Sequence, residues 1–115
     1  DPSQRVAIAT ESARTWNKIV VLKGAYTVVA SPEGNTLLSP FANPALASAG
    51  TGDVLAGVIA GLLSQGLSLE DAAAAGVYIH GMAGESARDD LGDAGVIASD
   101  LLPIIPKTIK LILTQ

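Results

Sequence analysis

A short segment bounded by glycines, Gly50-Thr51-Gly52-Asp53, runs directly into an apolar stretch over residues 54–63. Glycines on both sides of a threonine permit a turn in which neighbouring backbone N–H groups face the same point. A helix that begins there adds its own unpaired N–H groups and the positive end of its dipole. Because this arrangement binds anions, the segment predicts a phosphate site between a loop and a helix.

The acid that closes this segment, Asp53, does not itself favour phosphate, because a carboxylate repels it. Asp53 fits the site if it takes the proton of a hydroxyl group beside the phosphate while charge moves onto the phosphoryl group. The alternative is that Asp53 is only a favourable first-turn acid, which stabilises a helix by about 0.3–1 kcal/mol. The spacing alone leaves both interpretations open.

The composition excludes several classes of protein. A net charge of −4 without a cluster of Lys or Arg argues against a nucleic-acid surface, and the lack of cysteine together with a single histidine argues against disulfides and a zinc site. The apolar stretch over residues 54–63 is about half a membrane span, so no membrane partner is expected, and a soluble cytoplasmic protein is predicted. Its Gly57-x-x-x-Gly61 pattern is interpreted as the close-packing face of a buried helix.

The first half of the chain is predicted to contain one helix and three strands. The helix begins at Asp1-Pro2 and reaches about residue 17, and a β-branched run over residues 19–22 indicates a buried strand. Further strands are predicted over residues 26–30 and 36–38. The Pro-Glu-Gly-Asn sequence between them predicts that these two strands form an antiparallel hairpin. An ordered loop is expected after the third strand, over residues 39–48.

The second half is predicted to be helical. Helices are expected over residues 52–65 and 69–89, the second capped by Ser68 and carrying a small-residue surface for tight packing. Ser99 is expected to cap a last segment to about residue 113, which two prolines interrupt. Three strands cannot cover so many helices, so further strands are expected upstream or from a partner chain.

The segment Lys23-Gly24-Ala25-Tyr26-Thr27 follows a predicted buried strand, where open α/β sheets bind ligands. Lys23 could meet a phosphate as a point charge, and Gly24 would allow the backbone to approach a nucleotide. The alternative, favoured when the segment is taken alone, is a solvated strand end followed by a turn.

Other polar residues favour structural interpretations. The Asn43-Pro44 pair is typical of a turn, although the amide could face a site. His80 lies among apolar residues and is interpreted as a hydrogen-bonded packing residue. The acids Asp89, Asp90 and Asp93 could hold a cation but, with glycines among them, indicate a solvated loop.

Taken together, the motifs resemble a known family. Residues 43–57 (NPALASAGTGDVLAG) are similar to the signature of the ADP/ATP-dependent NAD(P)H-hydrate dehydratases, and residues 23–27 to that family's adenine-nucleotide segment. Residues 78–84 are similar to its following helix. The resemblance implies an α/β fold of the ribokinase-like type with three αβα layers, of which residues 1–115 would be the C-terminal portion, with few strands and about four helices.

The resemblance also implies the roles of individual residues. Adenine-nucleotide contacts are expected at Lys23, Gly24, Ala25, Tyr26, Thr27 and Gly52. The anion hole is expected at Ala49, Gly50, Thr51 and Gly52. Asp53 would contact the substrate and act as the catalytic base.

The implied reaction restores hydrated NADH or NADPH to the normal cofactor. ADP or ATP, with Mg²⁺, would phosphorylate the substrate hydroxyl, and phosphate would then leave. Two alternatives stay open: a small-molecule kinase of the same superfamily and a non-catalytic adenine-nucleotide-binding module. Because family members have a longer N-terminal part, the isolated 115 residues are expected to be poorly active. A homo-oligomer is expected, since open sheet edges pair readily.

Overall fold

A computed structural model describes residues 2–43, 46 and 49–113. Within them, the elements are α1 (Pro2–Trp16), β1 (Val20–Leu22), β2 (Val28–Ala30), β3 (Thr36–Leu38), α2 (Thr51–Ser64), α3 (Leu69–Leu91), α4 (Ala98–Leu101) and α5 (Ile104–Leu113). The predicted helix start at Asp1 and most of the segment from Pro44 to Ser48 lie outside the described residues. No helix of the described part combines the length and the apolar character that crossing a membrane requires.

The three described strands form one antiparallel sheet in the order β1-β2-β3. The predicted hairpin is confirmed, and Ser31 closes its turn: the Ser31 N–H donates to the Asn35 carbonyl at 2.9 Å, and the Asn35 N–H donates to Ser31 Oγ at 3.1 Å. The second strand is shorter than predicted, because Tyr26 adopts a left-handed φ of 55° that a strand does not accommodate.

The middle strand β2 is buried on both faces, which produces three layers. Val28 and Ala30 pack against Ala9 and Ala13 of α1. Val29 points to the other face, as strand alternation requires, and packs with Leu55 of α2 and with α3. The predicted αβα arrangement is therefore present in this part of the chain.

The packing of α2 against α3 confirms one glycine prediction and contradicts another. Gly76 of α3 lies so close to α2 that a Cβ there would stand 2.6 Å from Ile59 Cγ1. The predicted close-packing face at Gly57 and Gly61 is wrong, since nothing lies within 4 Å of a Cβ built at either glycine. The reason is helical periodicity: Leu55 and Ile59 form the packed face, and residues offset by two positions point away from it.

The structure confirms one of the predicted helix caps in the second half of the chain and contradicts the other. Ser68 does cap α3, its Oγ accepting the Asp71 N–H at 3.1 Å. The predicted cap at Ser99 is wrong, because Ser99 lies inside α4 and the Asp100 carboxylate instead accepts the Ile97 N–H at 2.9 Å. Pro106 does not interrupt α5 either. It lies in the first turn, where no intrahelical N–H is needed.

The two classes of helix glycine should respond oppositely to alanine. We expect Gly76→Ala to lower the free energy of unfolding by about 1–2 kcal/mol, because the new methyl group collides with Ile59. Gly61→Ala, the matched control on an open surface, should raise it by about 1 kcal/mol through helix propensity. Urea unfolding followed by circular dichroism measures both, and equal effects of the two substitutions would contradict this packing.

Candidate functional site

The two glycine motifs meet at one cavity of about 460 Å³. It lies between the end of β1, the loop after β3, the start of α2 and the middle of α3. Lys23, Gly24, Ala25 and Thr27 line it from the first motif, and Thr51 and Gly52 from the second. The fold therefore joins segments that lie more than twenty residues apart in the sequence.

Gly50 shapes the start of α2. It is the N-cap residue and has a left-handed φ of 87°, which a residue with a side chain rarely adopts. Its carbonyl accepts the N–H groups of Asp53 and Val54 at 3.1 and 3.2 Å. A Cβ on Gly50 would also lie 3.1 Å from the Ala98 Cβ. Both backbone angle and space therefore require glycine at this position.

Thr51 anchors the predicted anion-binding segment, residues 49–53 (the anion segment), through its side chain. It is buried, and its hydroxyl donates to the Leu46 carbonyl at 2.6 Å. The family resemblance implies that Thr51 belongs to the anion hole. The hydroxyl bond adds a second role, because it ties Leu46 to the first turn of α2.

Lys23 lies directly over Gly52. A Cβ on Gly52 would stand 2.8 Å from Lys23 Nζ, so a side chain there would displace the ammonium group from this position. The ammonium thus lies beside the positive end of the α2 dipole, and Lys23 forms no ion pair within the described residues. Two positive features at one point repel each other unless an anion lies between them, so this geometry is that of a phosphate site.

The predicted nucleotide segment, residues 23–27, forms a tight turn, and Arg5 of α1 binds the carbonyl groups at its start. Gly24 has a φ of 146°, its N–H donates to Thr27 Oγ1 at 3.2 Å, and the Thr27 hydroxyl donates to the Gly24 carbonyl at 3.0 Å. Arg5 Nη2 donates to the carbonyls of Leu22 and Lys23 at 3.0 and 3.1 Å. No pattern in the sequence points to Arg5, because it lies on a helix remote from the motif.

Tyr26 contributes differently from the rest of its segment. Its side chain is 40% exposed and is not part of the cavity lining, whereas its N–H donates to the Phe41 carbonyl at 3.0 Å. Tyr26 therefore ties the nucleotide segment to the loop that follows β3.

His80 is buried on α3 and borders the same cavity. Its Nε2 lies 2.9 Å from the Thr51 carbonyl oxygen, so the predicted hydrogen-bonded histidine is confirmed, but its partner belongs to the anion segment. Burial lowers the pKa of His80 below 6.5, and the positive charge of Lys23 lowers it further, although the bond to Thr51 opposes both. The sequence alone could not reveal a contact spanning 29 residues.

Gly81 and Gly84 of α3 leave room for side chains that follow β3 in the chain. The Phe41 ring lies against Gly81, and a Cβ on Gly84 would stand 2.6 Å from Leu46. Phe41 also packs on Tyr78, with ring centroids 5.9 Å apart. The small-residue surface predicted for α3 thus packs partly against this loop rather than only against α2.

The remaining candidates lie outside or at the edge of the cavity. Asp53 is exposed in the first turn of α2 and does not line the cavity, and Ala49 is exposed just before it. Asn43 is buried in the lining, and its carbonyl accepts the Leu46 N–H at 3.0 Å, as a turn requires. Asp93 pairs with Arg88, and no group of three or more metal-binding side chains occurs among the described residues.

This combination of αβα layers and a lysine facing a glycine-bounded helix start defines an α/β protein with a candidate phosphate site. A family model described as NAD(P)H-hydrate dehydratase matches residues 1–107. The chain belongs to this family, which confirms the predicted resemblance.

Relatives and solved structures agree with this assignment. The bifunctional NAD(P)H-hydrate repair enzyme Nnr of Moorella thermoacetica is 46% identical over 92% of this chain and 20% of its own length. The ADP-dependent (S)-NAD(P)H-hydrate dehydratase of Bacillus subtilis is 37% identical over 93% of this chain and 39% of its own length.

A solved ADP/ATP-dependent NAD(P)H-hydrate dehydratase from Bacillus subtilis, co-crystallised with ATP/Mg²⁺, superposes with a TM-score of 0.90 and 36% identity. It is matched over 96% of this chain and 40% of its own chain. The predicted fold class is therefore confirmed. The chain spans between a fifth and two fifths of the length of these proteins.

Because Gly52 leaves space for the Lys23 ammonium group, a side chain at position 52 should change the affinity of the site for anions. We expect Gly52→Ala to weaken ADP binding about ten- to hundredfold, because its methyl group displaces a charged donor. Gly57→Ala, in the same helix on an open surface, should leave binding unchanged. Isothermal titration calorimetry compares the two, and equal affinities would show that Lys23 does not contact the ligand.

The lowered pKa of His80 should make stability depend on pH. The unfolded chain binds the proton more readily than the folded one, so stability is full above about pH 6.5 and falls as the pH drops below that value. Urea midpoints at a series of pH values measure the loss. His80→Gln should remove this component of the pH dependence. An identical pH profile in that variant would contradict the assignment.

Proposed function

We propose that this chain is the C-terminal nucleotide-binding portion of an ADP- or ATP-dependent NAD(P)H-hydrate dehydratase. The enzyme would restore hydrated NADH or NADPH to the normal reduced cofactor. The observation that carries the proposal is the approach of Lys23 to Gly52 at the start of α2, in a chain that belongs to this family. The dehydratase activity of its relatives supports the choice of substrate.

The proposed roles follow from the resemblance of the two motifs to those of the family. Lys23, Gly24, Ala25, Tyr26 and Thr27 would bind the adenine nucleotide together with Gly52. The N–H groups of Ala49, Gly50, Thr51 and Gly52 would stabilise the charge on the transferring phosphoryl group. Asp53 would take the proton of the substrate hydroxyl as the hydroxyl oxygen attacks the terminal phosphorus of the nucleotide, and the P–O bond to the departing AMP or ADP would break. Cleavage of the C–O bond, with loss of a proton from the neighbouring ring carbon, would then release phosphate and form the C=C bond of the reduced nicotinamide.

Asp53 is suited to this role because it is exposed in the same helix turn as the anion segment. A substrate that approaches from outside the cavity could therefore meet the carboxylate while the nucleotide occupies the cavity. The base and the phosphoryl donor would lie on opposite sides of the reacting hydroxyl.

Mg²⁺ fits this site as a companion of the nucleotide. The ion usually binds substrate phosphates and one or two carboxylates and keeps several waters. Asp53 is the acid of the anion segment, and the described residues hold no cluster that would bind a metal on its own. When bound, Mg²⁺ would neutralise charge on the phosphates.

The rest of the domain would complete the fold around residues 1–115. Leu37 and Leu38 of β3 are 53% and 45% exposed, and the glycine face of α2 is open. We propose that segments corresponding to the unmatched part of the relatives cover these surfaces. We further propose a cytoplasmic homo-oligomer, because open strand edges favour pairing.

The decisive assay is recovery of reduced-nicotinamide absorbance from hydrated NADH with ADP or ATP and Mg²⁺. In the natural protein that contains this segment, Asp53→Asn should lower the rate about 10²–10⁴-fold, as loss of a general base does. Asp90→Asn, which changes an exposed acid of α3, is the matched control. The 115 residues alone should be poorly active.

Other outcomes would replace the proposal. A stable phosphorylated product without absorbance recovery would assign the protein as a small-molecule kinase. Nucleotide binding without turnover in the longer protein, unchanged by Asp53→Asn, would assign a non-catalytic binding module.

A further inference from the structure

His80 connects the middle of α3 to the first turn of α2. Its Nε2 lies 2.9 Å from the Thr51 carbonyl oxygen. A carbonyl oxygen only accepts hydrogen bonds, so Nε2 carries a hydrogen and donates it. The predicted nucleotide and anion contacts include Thr51 and Gly52 but assign nothing to His80.

The peptide group whose carbonyl His80 contacts joins Thr51 to Gly52 and also carries the Gly52 N–H. The Thr51 carbonyl and the Gly52 N–H belong to the same planar unit and point in opposite directions. A donor that holds the carbonyl therefore fixes the direction of this N–H. It also draws electron density away from the N–H, which becomes a stronger donor.

The Gly52 N–H belongs to the first turn of α2, whose N–H groups have no acceptor within the helix. Lys23 Nζ lies over the same residue. An anion that neutralises Lys23 therefore lies within reach of the Gly52 N–H, and the strength of that donor matters for its binding.

We propose that His80 is a positioning residue for phosphate binding: its Nε2–H holds the Thr51 carbonyl and thereby directs and polarises the Gly52 N–H toward the anion. The inference rests on the proposed function only for the identity of that anion, a phosphate group of an adenine nucleotide.

The surroundings of His80 suit this role. The Thr51 hydroxyl is bound to the Leu46 carbonyl at 2.6 Å, so the threonine is held from a second direction. The imidazole is only 7% exposed, which shields its bond from water. Burial and the charge of Lys23 lower the pKa of His80 and favour the neutral ring. The bond to the Thr51 carbonyl then selects the tautomer with the hydrogen on Nε2.

The experiment uses nuclear magnetic resonance and calorimetry on the full 115-residue chain. Because the chain has a single histidine, its imidazole ¹⁵N signals are assigned without ambiguity. We expect the Nε2–H tautomer. His80→Phe removes the donor at similar size, and His80→Gln supplies an amide donor in its place.

In His80→Phe, the Gly52 amide proton should move upfield, and ADP and inorganic phosphate should bind about three- to tenfold more weakly, as expected for the loss of one hydrogen bond. His80→Gln should recover part of both. Ile79→Ala truncates the neighbouring buried side chain of α3, which does not line the cavity, and should reduce stability without either effect.

Three results would overturn the proposal. They are an Nδ1–H tautomer, an unchanged Gly52 amide shift in both His80 variants, and equal losses of affinity in Ile79→Ala and His80→Phe. Should His80→Phe fail to fold, the tautomer and the Gln variant decide. If the longer natural protein binds no ADP, the proposed function fails, whereas the Gly52 shift of the ligand-free 115-residue chain still tests His80.

Discussion

Burial of β2 on both faces is the constraint on which the rest of the structure depends. Val28 and Ala30 fix α1 on one side of the sheet, and Val29 fixes α2 and α3 on the other. Because β1 pairs with β2 in a single register, the residue that follows its end, Lys23, is placed over Gly52 at the start of α2. A shift of one residue would turn the apolar side chains to the wrong faces, and the two motifs would separate.

The site that results combines close approach with unbalanced positive charge. Glycine at position 52 admits the Lys23 ammonium, and glycine at position 50 provides the left-handed turn from which α2 begins. Arg5, Thr51 and His80 then hold the surrounding carbonyl groups. Donors thus converge on the cavity while neighbouring acceptors are already bonded, which is the arrangement that a preorganised anion site requires.

Local signals explain why most elements could be predicted. The hairpin turn, the Ser68 cap and the helix after Gly50 depend on residues within a few positions of one another, and all three are present. The errors at Gly57, Gly61 and Ser99 have one cause. A spacing pattern shows that a face can pack or a side chain can cap, but not which of several candidates the neighbouring element leaves room for.

The sequence by itself determined the two glycine motifs, the family and the hairpin of the second and third strands, since these depend on chain-local conformation and residue identity. Only the tertiary structure decided that Lys23 lies over Gly52, that Arg5 secures the strand end, and that His80 donates to the anion segment. These contacts join residues separated by many positions, and their geometry is set by how α1, the sheet and α3 pack. No periodic pattern along the chain shows which of these distant residues come into contact in the folded protein.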